Sequence, residues 1–102
     1  MQHVDLSDRT GFFEVVAGTD RSQAASMVLG PGRSTGGPTN RHERSDQWLY
    51  VVSGEGTAVV EGQEHALTAG DLVVIEPGET HEIRNPGDED LVTVNVYAPP
   101  EY

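Results

Sequence analysis

The sequence predicts an all-β domain of antiparallel strands, either a sandwich or a barrel. Gly54, Gly62, Gly70 and Gly78 lie eight residues apart, and Gly87 follows nine residues later, each within a turn-like setting. The short runs between these glycines are rich in β-forming residues, at the spacing typical of such folds. The 102 residues suffice for one domain, and no segment has the apolar stripe of a useful helix.

Strands are expected along most of the chain. Their predicted ranges are 11–16, 24–30, 47–52, 57–61, 64–68, 72–76, 81–85 and 91–98. The stretch 29–39 holds too many glycines and prolines for regular structure and is predicted to be a loop. The last strand alternates between an apolar face and a mixed face that carries Thr93 and Asn95. The residues predicted to form the core include Phe12, Phe13, Met27, Leu29, Val73 and Ile75.

Composition argues against several kinds of partner and chemistry. Seventeen acidic residues face six basic ones, all of them arginine, for a formal net charge of −11. Such a chain repels phosphate backbones and anionic membrane surfaces, so neither nucleic acid nor a membrane is an expected partner. The absence of cysteine excludes disulfides and thiolate chemistry, and the absence of lysine excludes a Schiff base. Without a signal pattern or a membrane-length apolar run, a cytoplasmic location is expected.

Two of the four histidines lie in patterned contexts. If residues 39–42 are extended, Asn40 and His42 point to the same face, and the strand that begins at Gln47 could bring its amide beside them. His81 follows the turn EPGE and opens another strand. These four polar side chains could therefore converge in the mouth of a barrel, where ligand pockets and metal sites are often built.

The spacing of these residues resembles the paired motifs of the cupin superfamily. The first family motif has two histidines one residue apart, then a glutamate, then a glycine. Asn40, His42, Gln47 and Gly54 keep the spacing of that motif, with four residues before Gln47 and six before Gly54. The positions of the first histidine and of the glutamate are therefore occupied by amides.

The second family motif resembles residues 70–85, in which His81 stands at the position of the family's histidine. Glu76 replaces the first proline of that motif. The resemblance covers roughly residues 24–97 and implies a single cupin domain over residues 1–102. The implied fold is a double-stranded β-helix, or jelly-roll barrel, of antiparallel strands.

In the family the four motif side chains bind a divalent metal, and the resemblance carries that role to Asn40, His42, Gln47 and His81. A divalent ion such as Fe, Mn, Ni, Cu or Zn would then have no anionic ligand among them, and imidazole and carboxylate suit these metals better than amides. Three alternatives remain. His42, His81 and Gln47 hold a metal, with Asn40 as a fourth ligand or a hydrogen bonder; or a metal-free pocket binds a small polar molecule; or the cluster is internally satisfied without a ligand.

The resemblance implies two classes of function. Small cupins include metal-dependent dioxygenases and isomerases, and others bind small molecules as sensors without catalysis. No residue is an obvious general base, since Gln47 stands in place of the motif glutamate. Glu76 or Glu82 could serve only if they face the pocket, and alternation predicts that Glu82 points away when His81 points in. Cupins commonly pair, so a homodimer is expected. Trp48 and Tyr50, opposite Gln47, are predicted to pack in the core or at a subunit interface.

Overall fold

The computed structural model describes residues 1–7, 11–37 and 41–102. Over these ranges the chain forms nine β-strands, and the predicted all-β fold is confirmed. The strands are β1 Phe13–Gly18, β2 Gln23–Leu29, β3 Ser34–Gly36, β4 Asp46–Ser53, β5 Glu55–Val60, β6 Gln63–Thr68, β7 Leu72–Ile75, β8 His81–Arg84 and β9 Leu91–Ala98. Nowhere in the described chain is there a helix with the length and apolar character needed to span a membrane.

The strands form two antiparallel sheets that face each other. The larger sheet has the order β1-β2-β9-β4-β7, and the smaller has the order β3-β8-β5-β6. Both sheets contribute inward-facing side chains to one apolar core, because alternate residues of each strand point to the same face. The core cluster consists of Met27, Leu29, Leu49, Val51, Ala58, Leu67, Ile83 and Leu91.

Glycine is required at two of the turns that the regular glycine spacing predicted. At the hairpin between β5 and β6, Glu61 and Gly62 both have positive φ angles, 50° and 77°, which is the backbone of a two-residue type I′ turn. Gly54, between β4 and β5, has a φ of 87°. A Cβ atom on Gly54 would overlap the backbone carbonyl oxygen of Asp90. Gly54 is therefore needed both for its backbone conformation and for its lack of a side chain.

The stretch predicted to be one loop, 29–39, contains the short strand β3. This segment pairs with β8 in the register Ser34↔Arg84 to Gly36↔Glu82. Its β conformation comes from pairing at the edge of the smaller sheet, which the local composition of glycine and proline does not reveal.

Some predicted core residues lie at the surface. Phe12 is 55% exposed, whereas Ile75 is buried as predicted. Trp48 and Tyr50 are 44% and 45% exposed, so the prediction that they pack within the core of this chain is wrong for both. They lie on the outer face of β4 because the strand alternates and Gln47, Leu49 and Val51 take the inner face.

Candidate ligand and metal site

A cavity of about 350 Å³ lies between the two sheets. It is lined by Phe12, Phe13, Met27, Thr35, Gly36, His42, Gln47, His81, Ile83, Tyr97 and Tyr102. Three of the four predicted site residues, His42, Gln47 and His81, therefore share this cavity, and all three are buried. Asn40, the fourth, lies outside the described residues.

Local structure explains how distant segments bring these side chains together. Gln47 is the second residue of β4 and faces inward with Leu49. His81 is the first residue of β8. The backbone N–H of Gly78, in the turn before β8, donates to the carbonyl oxygen of His42 at 2.7 Å. This bond joins the two motif segments, and the rings of His42 and His81 lie with their centroids 4.8 Å apart.

A buried chain of polar side chains extends from the cavity along β9. Gln47 Nε2 donates to Asn95 Oδ1 at 3.0 Å, and Asn95 Nδ2 donates to Thr93 Oγ1 at 3.0 Å. The mixed face of β9 is thus the buried one. Sequence reasoning identified that face but assigned Asn95 no part in the site. The sequence feature that could have indicated this role is the pair of polar side chains, Thr93 and Asn95, two residues apart on one face of a strand.

The other side of His42 contacts a carboxylate near the end of the sequence. Glu101 Oε1 lies 3.0 Å from His42 Nδ1. The second carboxylate oxygen of Glu101 accepts a hydrogen bond from the buried Ser45 hydroxyl at 3.0 Å. Sequence reasoning missed this contact, since 59 positions separate the two residues and no pattern links them.

His81 is held in the same way, by an acceptor on Nδ1. Its Nδ1 atom lies 3.3 Å from the carbonyl oxygen of Glu79. Burial lowers the pKa of His81, and the nearby His42 lowers it further, against the opposing effect of the Glu79 hydrogen bond. His81 is therefore a neutral imidazole near pH 7, with Nδ1 as donor and Nε2 as the atom that bears a lone pair.

Aromatic rings close the remaining side of the cavity. Tyr102 packs against Phe13, with ring centroids 4.9 Å apart, and against Tyr97 at 5.2 Å. The edge of Tyr97 also meets His42 at 5.4 Å. Burial raises the pKa of Tyr97, and the neighbouring Tyr102 and Glu101 raise it further. Tyr97 therefore remains a neutral phenol at physiological pH.

The contact between His42 and Gln47 tests whether these residues suit a metal. Since Gln47 directs its amide nitrogen to Asn95, its oxygen Oε1 is the atom that faces His42 Nε2, at 3.0 Å. With Nδ1 directed at Glu101, this contact is favourable only when a proton or a cation lies at Nε2. Two ligand atoms each about 2.1 Å from one ion are about 3.0 Å apart at the roughly 90° angle of octahedral coordination, and about 3.4 Å apart at the tetrahedral angle.

This donor set is compatible with a divalent cation. An acceptor on Nδ1 of each histidine is the usual outer arrangement of metal-binding imidazoles. Among the described residues, the candidate ligands nonetheless number only two imidazoles and one amide. Within residues 1–7, 11–37 and 41–102, no three or more histidine, cysteine or acidic side chains are clustered as metal ligands. The carboxylate of Glu101 does not add to the set, because it contacts the far nitrogen of His42.

The chain's other ionisable candidates lie away from this cavity. His65 is exposed on β6, and Glu76 is exposed beyond the end of β7. Glu82 is buried but pairs with Arg84, with Oε1 2.8 Å from the guanidinium Nη2. A second depression, of about 500 Å³, is lined by residues that include Glu55, and none of the predicted site residues is among them.

Comparison with known sequences identifies the family. The family described as Cupin domain matches residues 25–97, most of the chain. This protein belongs to the cupin family. The double-stranded β-helix that the family resemblance implied is confirmed by solved structures with the same fold.

Individual relatives of this cupin differ in what they are named for. The Oxalate-binding protein of Thermotoga maritima is 37% identical over 67 residues, which cover 66% of this chain and 54% of that protein. The cupin thus spans about half the length of that relative. The structure of KdgF from Halomonas sp. is similar with a TM-score of 0.79 and 28% identity, over 87% of this chain and 78% of that one. A structure from Thermus thermophilus has a TM-score of 0.85 and 25% identity, over 97% and 98% of the two chains.

Proposed function

We propose that this cupin binds a small molecule in the cavity, beside a divalent cation held by His42, Gln47 and His81. The observation that carries the proposal is the 3.0 Å contact between His42 Nε2 and Gln47 Oε1, two atoms that need a proton or a cation beside them. The Nδ1 contacts of His42 and His81 leave their Nε2 atoms as the ones available to a cation.

The shape and chemistry of the cavity support a compact ligand with one polar end. Its volume of about 350 Å³ lies at the lower end of the range for small-molecule pockets. Its polar groups, His42, Gln47 and His81, are accompanied by apolar side chains such as Met27 and Ile83. The name of the Thermotoga relative, an oxalate-binding protein, supports a small-molecule ligand in general.

A cation at this position would act as a Lewis acid towards an oxygen atom of the bound molecule. The protein's own part is to orient that molecule and to exclude water from it. Neither Glu76 nor Glu82 lines the cavity, so neither is in place as a general base. With the Nε2 atoms of His42 and His81 assigned to the cation, the phenols of Tyr97 and Tyr102 are among the cavity groups that remain to donate a hydrogen bond to the bound molecule.

A metal-free binding pocket is the second candidate, and one observation favours it. Among the described residues, every buried side-chain nitrogen or oxygen has a hydrogen-bond partner without any added ion. With a proton on Nε2, His42 would donate to both Gln47 and Glu101.

Metal content distinguishes the two candidates. The purified protein, stripped with chelator, is incubated in turn with Fe, Mn, Ni, Cu and Zn, and retained metal is measured by elemental analysis. We expect one ion per chain in the wild type, loss of that ion in His42→Ala and His81→Ala, and full retention in His65→Ala, the exposed control. If none of the five metals is retained by the wild type, the cation is refuted and the metal-free pocket is favoured.

We propose that a second copy of the chain packs on the outer face of the larger sheet. Trp48 lies beside Val74 of β7 and Val96 of β9 in the strand register, and Tyr50 lies beside Leu72 of β7. All five side chains are large, apolar and exposed. A patch without charge on a chain of net charge −11 is where two copies can approach with least repulsion.

A further inference from the structure

The segment that follows β9 directs one carboxylate at the outer nitrogen of His42. Glu101 uses both of its oxygens: Oε1 lies 3.0 Å from His42 Nδ1, and Oε2 accepts the Ser45 hydroxyl at 3.0 Å. The same hydroxyl also lies 2.6 Å from the carbonyl oxygen of Pro99, so its single proton is shared between these two acceptors. Ser45 is buried, so this carboxylate is held from inside the protein.

The backbone of the same segment is held by one side chain of the larger sheet. Gln23, the first residue of β2, accepts the backbone N–H of Glu101 at 3.3 Å and that of Tyr102 at 2.9 Å. Its amide nitrogen donates to the carbonyl oxygen of Tyr102 at 2.6 Å. With its backbone fixed by Gln23 and its carboxylate by Ser45, Glu101 has a defined position against His42.

We propose that Glu101 is a positioning residue for the candidate site, fixing the ring orientation and the tautomer of His42 so that Nε2 faces Gln47 and the cavity. The hydrogen bond on one ring nitrogen determines which nitrogen remains for a ligand or a metal. The carboxylate makes Nδ1 the donor, and an outer partner of this kind orients the ring whose other nitrogen would contact a cation.

This role rests on the proposed function, and it addresses a deficiency in the donor set. Gln47 brings no charge to the position where the family has a carboxylate, and the described ligand atoms are all neutral. Glu101 brings a negative charge to the site through one imidazole ring. It does not contact the reacting molecule and is therefore not a catalytic residue.

The first test needs neither metal nor ligand. Long-range ¹H–¹⁵N spectra of the metal-free protein report which nitrogen of His42 carries a proton. We expect Nδ1 to be protonated in the wild type, to lose that proton in Glu101→Ala, and to retain it in Glu101→Gln, whose amide oxygen still accepts. Glu14→Gln removes one charge at an exposed position on β1 and should match the wild type. An Nδ1 state that is the same in Glu101→Ala as in the wild type would overturn the proposal.

The second test measures affinity for Ni²⁺ or Zn²⁺ alone by calorimetry. Loss of an outer partner of a metal-binding histidine typically lowers affinity about 10- to 100-fold. We expect that loss in Glu101→Ala, a smaller loss in Glu101→Gln and Ser45→Ala, and none in Glu14→Gln. An affinity of Glu101→Ala within twofold of the wild type contradicts the role. If the wild type binds neither ion, the proposed cation fails, while the tautomer measurement still decides the role of Glu101.

Discussion

Replacing Gln47 by glutamate tests the candidate site most directly, because it changes one neutral ligand atom into an anionic one without changing its length. Oε1 of Gln47 lies 3.0 Å from His42 Nε2, so a carboxylate oxygen would occupy the same point. A hydrogen bond or ligand contact to a charged group is typically worth about 1.5–3 kcal/mol, against about 1 kcal/mol for a neutral one. The difference of roughly 0.5–2 kcal/mol predicts an affinity gain of about 2- to 30-fold.

The structure also predicts a cost to the metal-free protein. The second oxygen of the new carboxylate would face Asn95 Oδ1, which now accepts from the Gln47 amide nitrogen at 3.0 Å. Rotation of the Asn95 amide by 180° restores that contact, with Thr93 then donating through its hydroxyl. Until a cation binds, the buried charge is compensated only by the neighbouring histidines. We therefore expect a free energy of unfolding that is about 1–3 kcal/mol lower without metal.

Calorimetric titration with Zn²⁺ or Ni²⁺, together with chemical denaturation with and without the ion, measures both effects. Gln63→Glu, the same change at an exposed residue of β6, is the matched control. We expect Gln47→Glu to bind metal more tightly than the wild type, to be less stable without metal, and to be stabilised more by added metal. If it binds no more tightly than the control variant, Gln47 is not beside a cation and the reasoning is refuted.

Two further predictions concern the fold and the surface. Gly54→Ala should lower the free energy of unfolding by roughly 2–5 kcal/mol, because strain at positive φ costs about 1–2 kcal/mol and the overlap with Asp90 adds about 1–3 kcal/mol. Gly70 has a similar φ of 95° and open space around it, so Gly70→Ala should lower the free energy of unfolding by the strain contribution alone in the same denaturation experiment. Equal losses of stability in the two variants would contradict the predicted overlap. Trp48→Glu should convert a dimer into a monomer in light scattering, whereas a wild type that is monomeric at high concentration would exclude the proposed interface.

Most of the fold could be predicted because it depends on local turns. The regularly spaced glycines mark turns such as the hairpin at Gly62, where the backbone needs positive φ, and these turns separate the strands. The strand at Ser34–Gly36 could not be predicted, since its conformation comes from pairing with β8 across the fold. The exposure of Phe12 has a similar origin, because periodicity does not show where a sheet ends.

The site was predictable only in part, and for the same reason. Motif spacing located His42, Gln47 and His81, which the fold brings to one cavity. The contacts that orient these side chains come from elsewhere. Asn95 reaches Gln47 through the pairing of β4 with β9, and Glu101 reaches His42 through the segment after β9. Neither contact has a signature in the sequence around the histidines.

The amide at position 47 is matched to its surroundings. Gln47 has a donor nitrogen as well as an acceptor oxygen, and the barrel provides an acceptor for that nitrogen in Asn95, whose own amide is bonded to Thr93. A glutamate would have no donor for Asn95 Oδ1 and would require the Asn95 amide to turn over, with Thr93 donating to it, so the interior of β9 and the side chain at position 47 depend on each other. The negative charge that the motif position lacks lies instead at Glu101, on the opposite side of the His42 ring. Since a carboxylate there acts only through the imidazole, any cation at this site would keep more of its own charge, and would polarise a bound oxygen more strongly, than one held directly by a carboxylate.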